Sequence, residues 1–149
     1  MKLEAYLDRD LVLPELASKS KADVLEELIA PLGKKFSGFD LPKAHKVLLE
    51  REYLGTTGIG DGVAIPHGKL EHLGDIVLVV GRSTSGVNFE ALDFKPCSIF
   101  FLVLAPEEVA GVHLRILAHI SRLLKDEVFR SSFMAASDRD ALWRLLAQT

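Results

Sequence analysis

Residues 51–70 read REYLGTTGIGDGVAIPHGKL and connect a predicted helix to a short apolar run that ends at a histidine. Glycine lacks the side chain that keeps a ligand away from the backbone, so a glycine-rich loop can turn consecutive N–H groups toward one anion. Two threonines in the same segment add hydroxyl donors. The segment therefore predicts a phosphate-binding loop, made of Thr56, Thr57, Gly58, Gly60, Gly62 and Gly68.

Nucleotide binding is disfavoured by the spacing of these glycines. The phosphate loop of nucleotide-hydrolysing proteins needs Gly-Lys-Ser/Thr after a four-residue gap, and the dinucleotide fingerprint needs G-x-G-x-x-G. Neither pattern can be traced through Gly58, Gly60 and Gly62. The loop is therefore expected to receive an anion other than a nucleotide.

His67 stands between Pro66 and Gly68, directly after the apolar run Val63 to Ile65. Because proline fixes its own backbone φ, we expect the histidine at a strand end on a stiff backbone. That placement suits a group that must keep a fixed attack geometry. A neutral imidazole is a nucleophile near neutral pH, and its N–P adduct can pass a phosphoryl group on. The alternative is that Pro-His-Gly is only a turn, with His67 exposed and idle.

The segment GTTGIGDGVAIPHGKL, residues 55–70, resembles the active-site signature of a known family. The family comprises the enzyme IIA domains of the phosphoenolpyruvate-dependent phosphotransferase system, in the fructose/mannitol branch that includes the nitrogen-regulatory enzyme IIA. The resemblance implies that His67, in the A-[IL]-P-H motif, is the phosphorylated residue. The ending His-Gly-Lys-Leu resembles the nitrogen-regulatory members more than the sugar-transporting ones.

Length and composition indicate one globular domain over residues 1–149, with 48% hydrophobic and 26% charged residues, and the order of predicted elements assigns it to the α/β class. No apolar run reaches the length of a membrane span, so we expect a cytoplasmic protein without direct membrane insertion. A net charge of −3 without a Lys/Arg run argues against a nucleic-acid partner. The single cysteine, Cys97, cannot form an internal disulfide and is expected in the core.

The periodicity of apolar residues predicts helices and strands, and the resemblance implies that they form a mixed, mostly central β-sheet flanked by helices on both faces. Predicted helices cover 2–8, 21–36, 41–53, 108–125, 127–136 and 138–147, and predicted strands cover 11–13, 75–82, 87–89 and 97–104. Ser20 and Asp40 are expected N-caps, and Ser137 with Asp140 is spaced as a capping box. Pro31 should kink or shorten its helix, and Ser85-Gly86 should form a turn.

Arg51 falls on the same helical stripe as Ala44, Val47 and Leu48, and this stripe is expected to pack inward. A guanidinium on that face must find an anion or reach solvent, and a phosphoryl group would satisfy it bidentately. The alternatives are an ion pair with Glu90 or Asp93, or a stem that extends to solvent. The resembling family also has an arginine near its histidine, which implies a functional role here.

His113 shares an apolar stripe with Ile116, Leu117, Ile120 and Leu124, on a helix that follows a central strand. From the pattern alone, a core histidine is the more common outcome. The resemblance implies instead that His113 faces the phosphorylated histidine and donates a hydrogen bond to a phosphoryl oxygen. The other three histidines, His45, His72 and His119, are expected on the surface.

The resemblance also implies the partners of the reaction. An HPr-like phosphocarrier protein would donate the phosphoryl group across an apolar ring around His67, and no cofactor or metal would be needed. The acceptor would be a regulatory target or, alternatively, a IIB domain of a fructose- or mannitol-type permease. The absence of an attached transporter segment favours the regulatory use. A zinc hydrolase using His67, His72 and His113 is a third alternative, disfavoured by the lack of H-E-x-x-H.

Overall fold

The structure, a computed structural model, describes all 149 residues as five α-helices around a six-stranded mixed sheet. The helices are α1 (Lys21–Lys35), α2 (Leu41–Leu54), α3 (Ala110–Lys125), α4 (Glu127–Ala135) and α5 (Arg139–Ala147). The strands are β1 (Val12–Leu13), β2 (Gly58–Gly60), β3 (Val63–Ala64), β4 (His67–Lys69), β5 (Val77–Val87) and β6 (Cys97–Ala105). Short 3-10 turns cover Leu3–Ala5, Arg9–Leu11 and Glu107–Val109.

The strand β6 lies at the centre of the sheet, whose order is β1-β5-β6-β3-β2. On one side β6 pairs antiparallel with β5. On the other side it pairs parallel first with β3 and then, farther along, with β4. All residues of β6 except Ser98 are buried, as its continuous apolar sequence predicts for a strand covered on both faces.

Helices cover both faces of the sheet, as predicted. Gly81 of β5 pairs with Phe100, and a Cβ at Gly81 would lie 2.7 Å from Leu28 Cδ2, which places α1 on that face. The ring of the next residue, Phe101, packs at 6.0 Å from the ring of Phe133 in α4. Since successive side chains of a strand point to opposite faces, α1 and α4 lie on opposite sides.

Two of the predicted helix starts are confirmed, and the third is wrong. The side chain of Ser20 accepts a hydrogen bond from the N–H of Asp23, and that of Asp40 accepts one from Lys43. At α5 the cap is Asp138, which accepts from the N–H of Ala141 at 2.9 Å. Asp138 takes the place predicted for Ser137 because its carboxylate reaches the N–H that lies three residues on.

The predicted turn at Ser85-Gly86 is wrong, because β5 runs without interruption from Val77 to Val87. Its register against β6 shifts between Arg82 and Val87, and Gly86 has a φ of 86°. The N–H of Gly86 donates to Ser83 Oγ at 3.0 Å. The glycine therefore forms an irregularity within one strand.

One further prediction about local structure is wrong, at the N-terminus. The predicted helix over 2–8 contains only the 3-10 turn Leu3–Ala5, whose Leu3 is fully buried. The helix α1 contains Pro31 and ends at Lys35, one residue before its predicted end.

One hydrophobic core of 39 buried residues spans the molecule. It includes Cys97, whose thiol donates to the carbonyl of Val63, and burial raises the pKa of this thiol to about 11. Arg82 is also buried and donates to the carbonyls of Phe133 and Ala136, so it caps the end of α4. None of the helices combines the length and the apolar character needed to cross a bilayer.

Candidate functional site

His67 begins β4, which pairs only with β6 and so lies at an edge of the sheet. The carbonyl of Pro66 accepts a hydrogen bond from the N–H of Val103 at 2.9 Å, which fixes the backbone before the histidine. Nδ1 of His67 lies 2.9 Å from the carbonyl oxygen of Ile65. A carbonyl can only accept, so Nδ1 carries the proton and Nε2 of the neutral ring carries the free lone pair.

His113 lies in the first turn of α3 and meets His67 edge to face. The ring centroids are 5.8 Å apart and the ring planes are at 75°. His113 is only 5% exposed, and its Nε2 is buried without a hydrogen-bond partner. An unpaired buried polar atom costs about 1–3 kcal/mol, so this nitrogen is poised to bind a group that enters beside His67.

Both imidazoles are held neutral. Burial lowers the pKa of His67, and the charge of Arg51 lowers it further, against opposing effects of the Ile65 carbonyl and of Glu52. Burial also lowers the pKa of His113, with smaller contributions from His67 and Lys69. A neutral His67 has the nucleophilic lone pair, and a neutral His113 still has one ring N–H to donate.

Arg51 lies in the last turn of α2, where its Nη1 donates to the carbonyl of Gly55 at 2.9 Å. The ion pair considered from the sequence is not formed, since the nearest cation to Glu90 is Lys21 at 3.9 Å. Arg51 instead lines an open groove of about 590 Å³ that contains both histidines. The lining residues are Val47, Glu50, Arg51, Tyr53, Leu54, His67, Gly68, Lys69 and His113. The three residues predicted to act on a phosphoryl group therefore share one groove.

Gly68 brings the two sides of this groove together. A Cβ at this position would lie 2.7 Å from Cγ1 of Val47, so only glycine lets α2 approach β4 this closely. The close approach places the last turn of α2, with Arg51, beside His67. Gly68 thus serves the site through packing.

The phosphate-binding loop stays a prediction, but several donors of Thr56, Thr57 and Gly58 are engaged within the protein. The N–H of Thr57 donates to Oε1 of Glu52 at 2.9 Å, and its hydroxyl donates to Oε2. The hydroxyl of Thr56 donates to the carbonyl of Phe89, and the N–H of Gly58 donates to Thr56 Oγ1. This segment is a hydrogen-bonded hinge between α2 and β2.

Gly60 and Gly62 lie away from His67. They shape the turn between β2 and β3, with φ values of 106° and 75°. The carbonyl of Gly62 accepts from the N–H of Ser98, whereas His67 pairs with Val103. Ser98 and Val103 are five residues apart, so at about 3.3 Å per residue along β6 these two positions are roughly 16 Å apart. This register does not support the predicted role of Gly60 and Gly62 in a phosphate-binding loop around His67.

Glu52 was not predicted from the sequence; its carboxylate is buried at 6% exposure and binds Lys21 Nζ at 3.1 Å. A signal was present, because Ala44, Leu48 and Glu52 are four residues apart and form the buried face of α2. Lys69 was not predicted either; it lines the groove and lies close enough to lower the pKa of His113. Its position two residues after His67, on the same side of the strand, is the pattern that could have found it.

Exposed apolar side chains flank the groove, as expected for a docking face. Tyr53 and Leu54 are 91% and 83% exposed and line the groove directly. Leu114, next to His113 in α3, is 67% exposed. Large apolar side chains left in water beside a reactive group are typical of a surface that a partner covers.

Of the other histidines, His72 is exposed in the loop after β4 and does not line the groove. His45 and His119 are half-buried rather than freely solvated, because their Nε2 atoms lie 2.9 Å from the carbonyls of Ala22 and Thr149. These contacts tie helices to neighbouring segments, which corrects the expectation of solvated histidines. No group of three or more His, Cys, Asp or Glu is arranged to hold a metal ion.

Comparison with known proteins gives consistent matches over nearly the whole chain. The family model of the phosphoenolpyruvate-dependent sugar phosphotransferase system, EIIA 2, matches residues 5–149. A nitrogen regulatory protein from Bradyrhizobium diazoefficiens is 41% identical over 138 residues, covering 93% of this chain and 90% of that protein. The fructose-specific EIIABC component of Bacillus subtilis is 32% identical over 99% of this chain and 23% of its own length. The crystal structure of nitrogen regulatory protein IIA-Ntr from Neisseria meningitidis has a TM-score of 0.89 at 30% identity, covering 97% of this chain and 98% of that one.

Proposed function

Because the chain belongs to the EIIA 2 family of the phosphoenolpyruvate-dependent sugar phosphotransferase system, we propose that it is a phosphocarrier in which His67 accepts the phosphoryl group. The observation that carries the assignment is the hydrogen bond from Nδ1 of His67 to the carbonyl of Ile65. It leaves Nε2 with the lone pair, in a groove that also contains Arg51 and His113.

The transfer needs few covalent steps. The lone pair of His67 Nε2 attacks phosphorus, a new N–P bond forms, and the N–P bond to the donor's imidazole breaks. The donor leaves with its own lone pair, and the proton on Nδ1 of His67 stays in its hydrogen bond to Ile65. Positioning and charge neutralisation supply most of the catalysis in such a transfer.

Arg51 and His113 are the groups that would neutralise the transferred phosphoryl oxygens. The guanidinium of Arg51 uses one nitrogen for the carbonyl of Gly55 and keeps the others for the groove. The unpartnered Nε2 of His113 would gain a phosphoryl oxygen as its hydrogen-bond acceptor. Lys69 adds a second positive charge at the same edge of the strand.

The donor we propose is an HPr-like phosphocarrier protein that carries its phosphoryl group on histidine. It would cover Tyr53 and Leu54 and exclude water from the groove, since water would hydrolyse the phosphohistidine. The groove is open rather than a closed pocket, which suits a protein donor. Arg51 and Lys69 would attract the donor's phosphoryl group.

The regulatory type is the use we favour. The nitrogen regulatory protein of Bradyrhizobium diazoefficiens is 41% identical to this chain, whereas the fructose-specific EIIABC relative is 32% identical. In the regulatory use, the phosphoryl group changes which partners the groove surface binds, because it adds negative charge to an apolar face. The alternative is a sugar-specific enzyme IIA that feeds a IIB domain.

The test is incubation of the protein with labelled phosphoenolpyruvate and the general phosphotransferase proteins. We expect an acid-labile, base-stable label that is lost in His67→Gln and kept in His72→Gln, a matched change at an exposed histidine outside the groove. A label of unchanged stoichiometry in His67→Gln would place the acceptor on another residue. Discharge of the labelled protein by a purified fructose- or mannitol-type IIB domain would favour the sugar-specific alternative.

A further inference from the structure

We propose that Glu52 is a positioning residue for His67, which it holds in the Nδ1–H tautomer through a chain of backbone hydrogen bonds. The inference rests on the proposed function, in which the lone pair of Nε2 attacks phosphorus. Glu52 does not line the groove and does not touch the reacting atoms. It acts through the hinge that joins α2 to the sheet.

Three hydrogen bonds connect the carboxylate to the imidazole. The N–H of Thr57 donates to Glu52 Oε1 at 2.9 Å. The carbonyl of Thr57 then accepts the N–H of Ile65 at 3.0 Å. The carbonyl of Ile65 in turn accepts Nδ1–H of His67 at 2.9 Å. Glu52 fixes Thr57, and Thr57 fixes Ile65. The position of the Ile65 carbonyl, which selects the Nδ1–H tautomer of His67, therefore depends on Glu52.

Glu52 is anchored more firmly than a surface carboxylate would be. Its second oxygen accepts the hydroxyl of Thr57, and Lys21 Nζ binds its first oxygen at 3.1 Å. Lys21 also donates to Thr56 Oγ1 at 3.2 Å and lies 4.8 Å from the centre of the Phe89 ring. The largely buried ion pair of Lys21 and Glu52 thus binds both Thr56 and Thr57 of the segment that joins α2 to β2.

Stability alone is a weak reason for burying such a pair. Removing two charges from water costs several kcal/mol per ion, and apolar residues of the same volume often stabilise a protein equally well. Buried ionic groups are better attested as devices that fix one arrangement of the chain. Here the arrangement that is fixed contains the backbone on both sides of the nucleophile.

The tautomer matters because a neutral imidazole has one N–H and one lone pair. If the proton moved to Nε2, the nitrogen that faces the groove would have no lone pair for phosphorus. A hydrogen bond to the other ring nitrogen is the usual way in which a protein selects the reactive nitrogen of histidine. In this chain the hydrogen bond goes to a carbonyl, and Glu52 sets the place of that carbonyl.

The experiment compares Glu52→Gln with Glu27→Gln. Glu27 is a matched control, because its carboxylate also accepts backbone N–H and hydroxyl donors, from Ala17 and Ser18, but takes no part in the hydrogen bonds that lead to His67. Two quantities are measured in each variant. They are the fraction of Nδ1–H tautomer of His67, from the nitrogen chemical shifts of the ring, and the rate of phosphoryl transfer from a phosphorylated HPr-like donor.

We expect Glu52→Gln to lower the Nδ1–H fraction of His67 and to slow transfer by about tenfold, since a shift of about 1 Å in a reacting group can cost roughly a hundredfold. Glu27→Gln should reduce the melting temperature without changing either quantity. A second pair of variants tests the same inference if Glu52→Gln folds poorly. Thr57→Val removes one donor to the carboxylate and should act in the same direction, and Thr57→Ser keeps the donor and should restore the wild-type values.

Wild-type nitrogen shifts and transfer rates in both Glu52→Gln and Thr57→Val would overturn the positioning role. The tautomer measurement needs no phosphoryl donor, so it decides this inference even if the wild-type protein is never labelled. Absence of label on wild-type His67 would instead overturn the proposed function. The two failures are therefore distinguishable.

Discussion

The ring of His113 meets the ring of His67 edge to face at 5.8 Å, while Nε2 of His113 has no hydrogen-bond partner. The fold thus leaves a polar atom unsatisfied at the one place where the proposed reaction brings new oxygen atoms. A phosphoryl group on His67 would give that nitrogen an acceptor. The free-energy cost of the unpaired Nε2 would then be removed in the phosphorylated state.

Replacing His113 with alanine should slow phosphoryl transfer by about a hundredfold, the scale on which one lost hydrogen-bond donor affects a developing charge. The acceptor should remain His67. The measurement is the single-turnover rate from a phosphorylated donor. His119→Ala, a change at a histidine of the same helix outside the groove, is the control and should transfer at the wild-type rate. An unchanged rate in His113→Ala would remove its stabilising role.

Arg51→Gln should slow transfer by about tenfold or more, because it removes the cation on the α2 side of the groove. Arg51→Lys should give an intermediate rate, since an ammonium keeps the charge but cannot bind bidentately. Arg130→Gln is the matched control, because Arg130 also donates to a carbonyl near a helix end, that of Leu124. Both glutamine variants should lose similar stability, and only Arg51→Gln should lose rate. Equal rates in the two variants would limit Arg51 to capping its helix.

Gly68→Ala should destabilise the protein by about 1–3 kcal/mol, the usual cost of overpacking. The new Cβ would lie 2.7 Å from Val47 Cγ1 and would push α2, with Arg51, away from His67. Transfer should slow as well. Urea denaturation measures the first effect, and Gly74→Ala, with no atom within 4 Å of its Cβ, should be nearly neutral. The double variant Gly68→Ala/Val47→Ala should recover much of the loss, and no recovery would point to a cause other than this contact.

The unphosphorylated protein should lose stability as the pH falls below the ordinary histidine pKa of about 6.5. The pKa values of His67 and His113 are lowered in the folded state, so the unfolded chain binds protons at a pH where the folded chain does not. This contribution is fully present above the unfolded pKa and is lost as the pH falls through the folded pKa. Urea titrations at several pH values measure it. In the double variant His67→Gln/His113→Gln, the free energy of unfolding should depend less on pH. The same pH dependence as in the wild type would contradict the neutral state of the two histidines.

Tyr53→Ser and Leu54→Ser should raise the donor concentration needed for half-maximal transfer, with little change in stability, because both side chains are exposed beside the groove. Each should cost about 1 kcal/mol or more in donor binding if it lies at the centre of the contact. Phe94→Ser is the control, since Phe94 is 94% exposed and does not line the groove. Equal affinities in all three variants would mean that the donor binds elsewhere.

The parts of this fold that follow from local pattern could be predicted from the sequence. Apolar periodicity gave α1, α2 and α3 within one or two residues, and the continuous apolar run gave β6. The same periodicity placed His113 on the buried face of α3. His67 was found because its neighbours Pro66 and Gly68 form part of a recognisable motif. These features depend on residues that are close in sequence.

The engagement of the loop's donors could not be predicted from the sequence, because the groups that bind them come from distant positions. Thr57 is bound by Glu52 of the preceding helix, and Glu52 is held by Lys21, which lies more than thirty residues earlier. The glycines at positions 60 and 62 are compatible both with an anion-binding loop and with a tight turn. Only the pairing of β3 with β6 shows that these two glycines form a turn away from His67.

Cys97 makes the molecule convenient for fluorescence work. Its thiol is fully buried, and its raised pKa of about 11 leaves almost no thiolate at neutral pH. A maleimide dye should therefore react with a cysteine introduced at the exposed position of Leu114 and leave the native one untouched. A single reporter of that kind, next to His113 in the chain, would follow donor association and release in real time without first replacing the native cysteine.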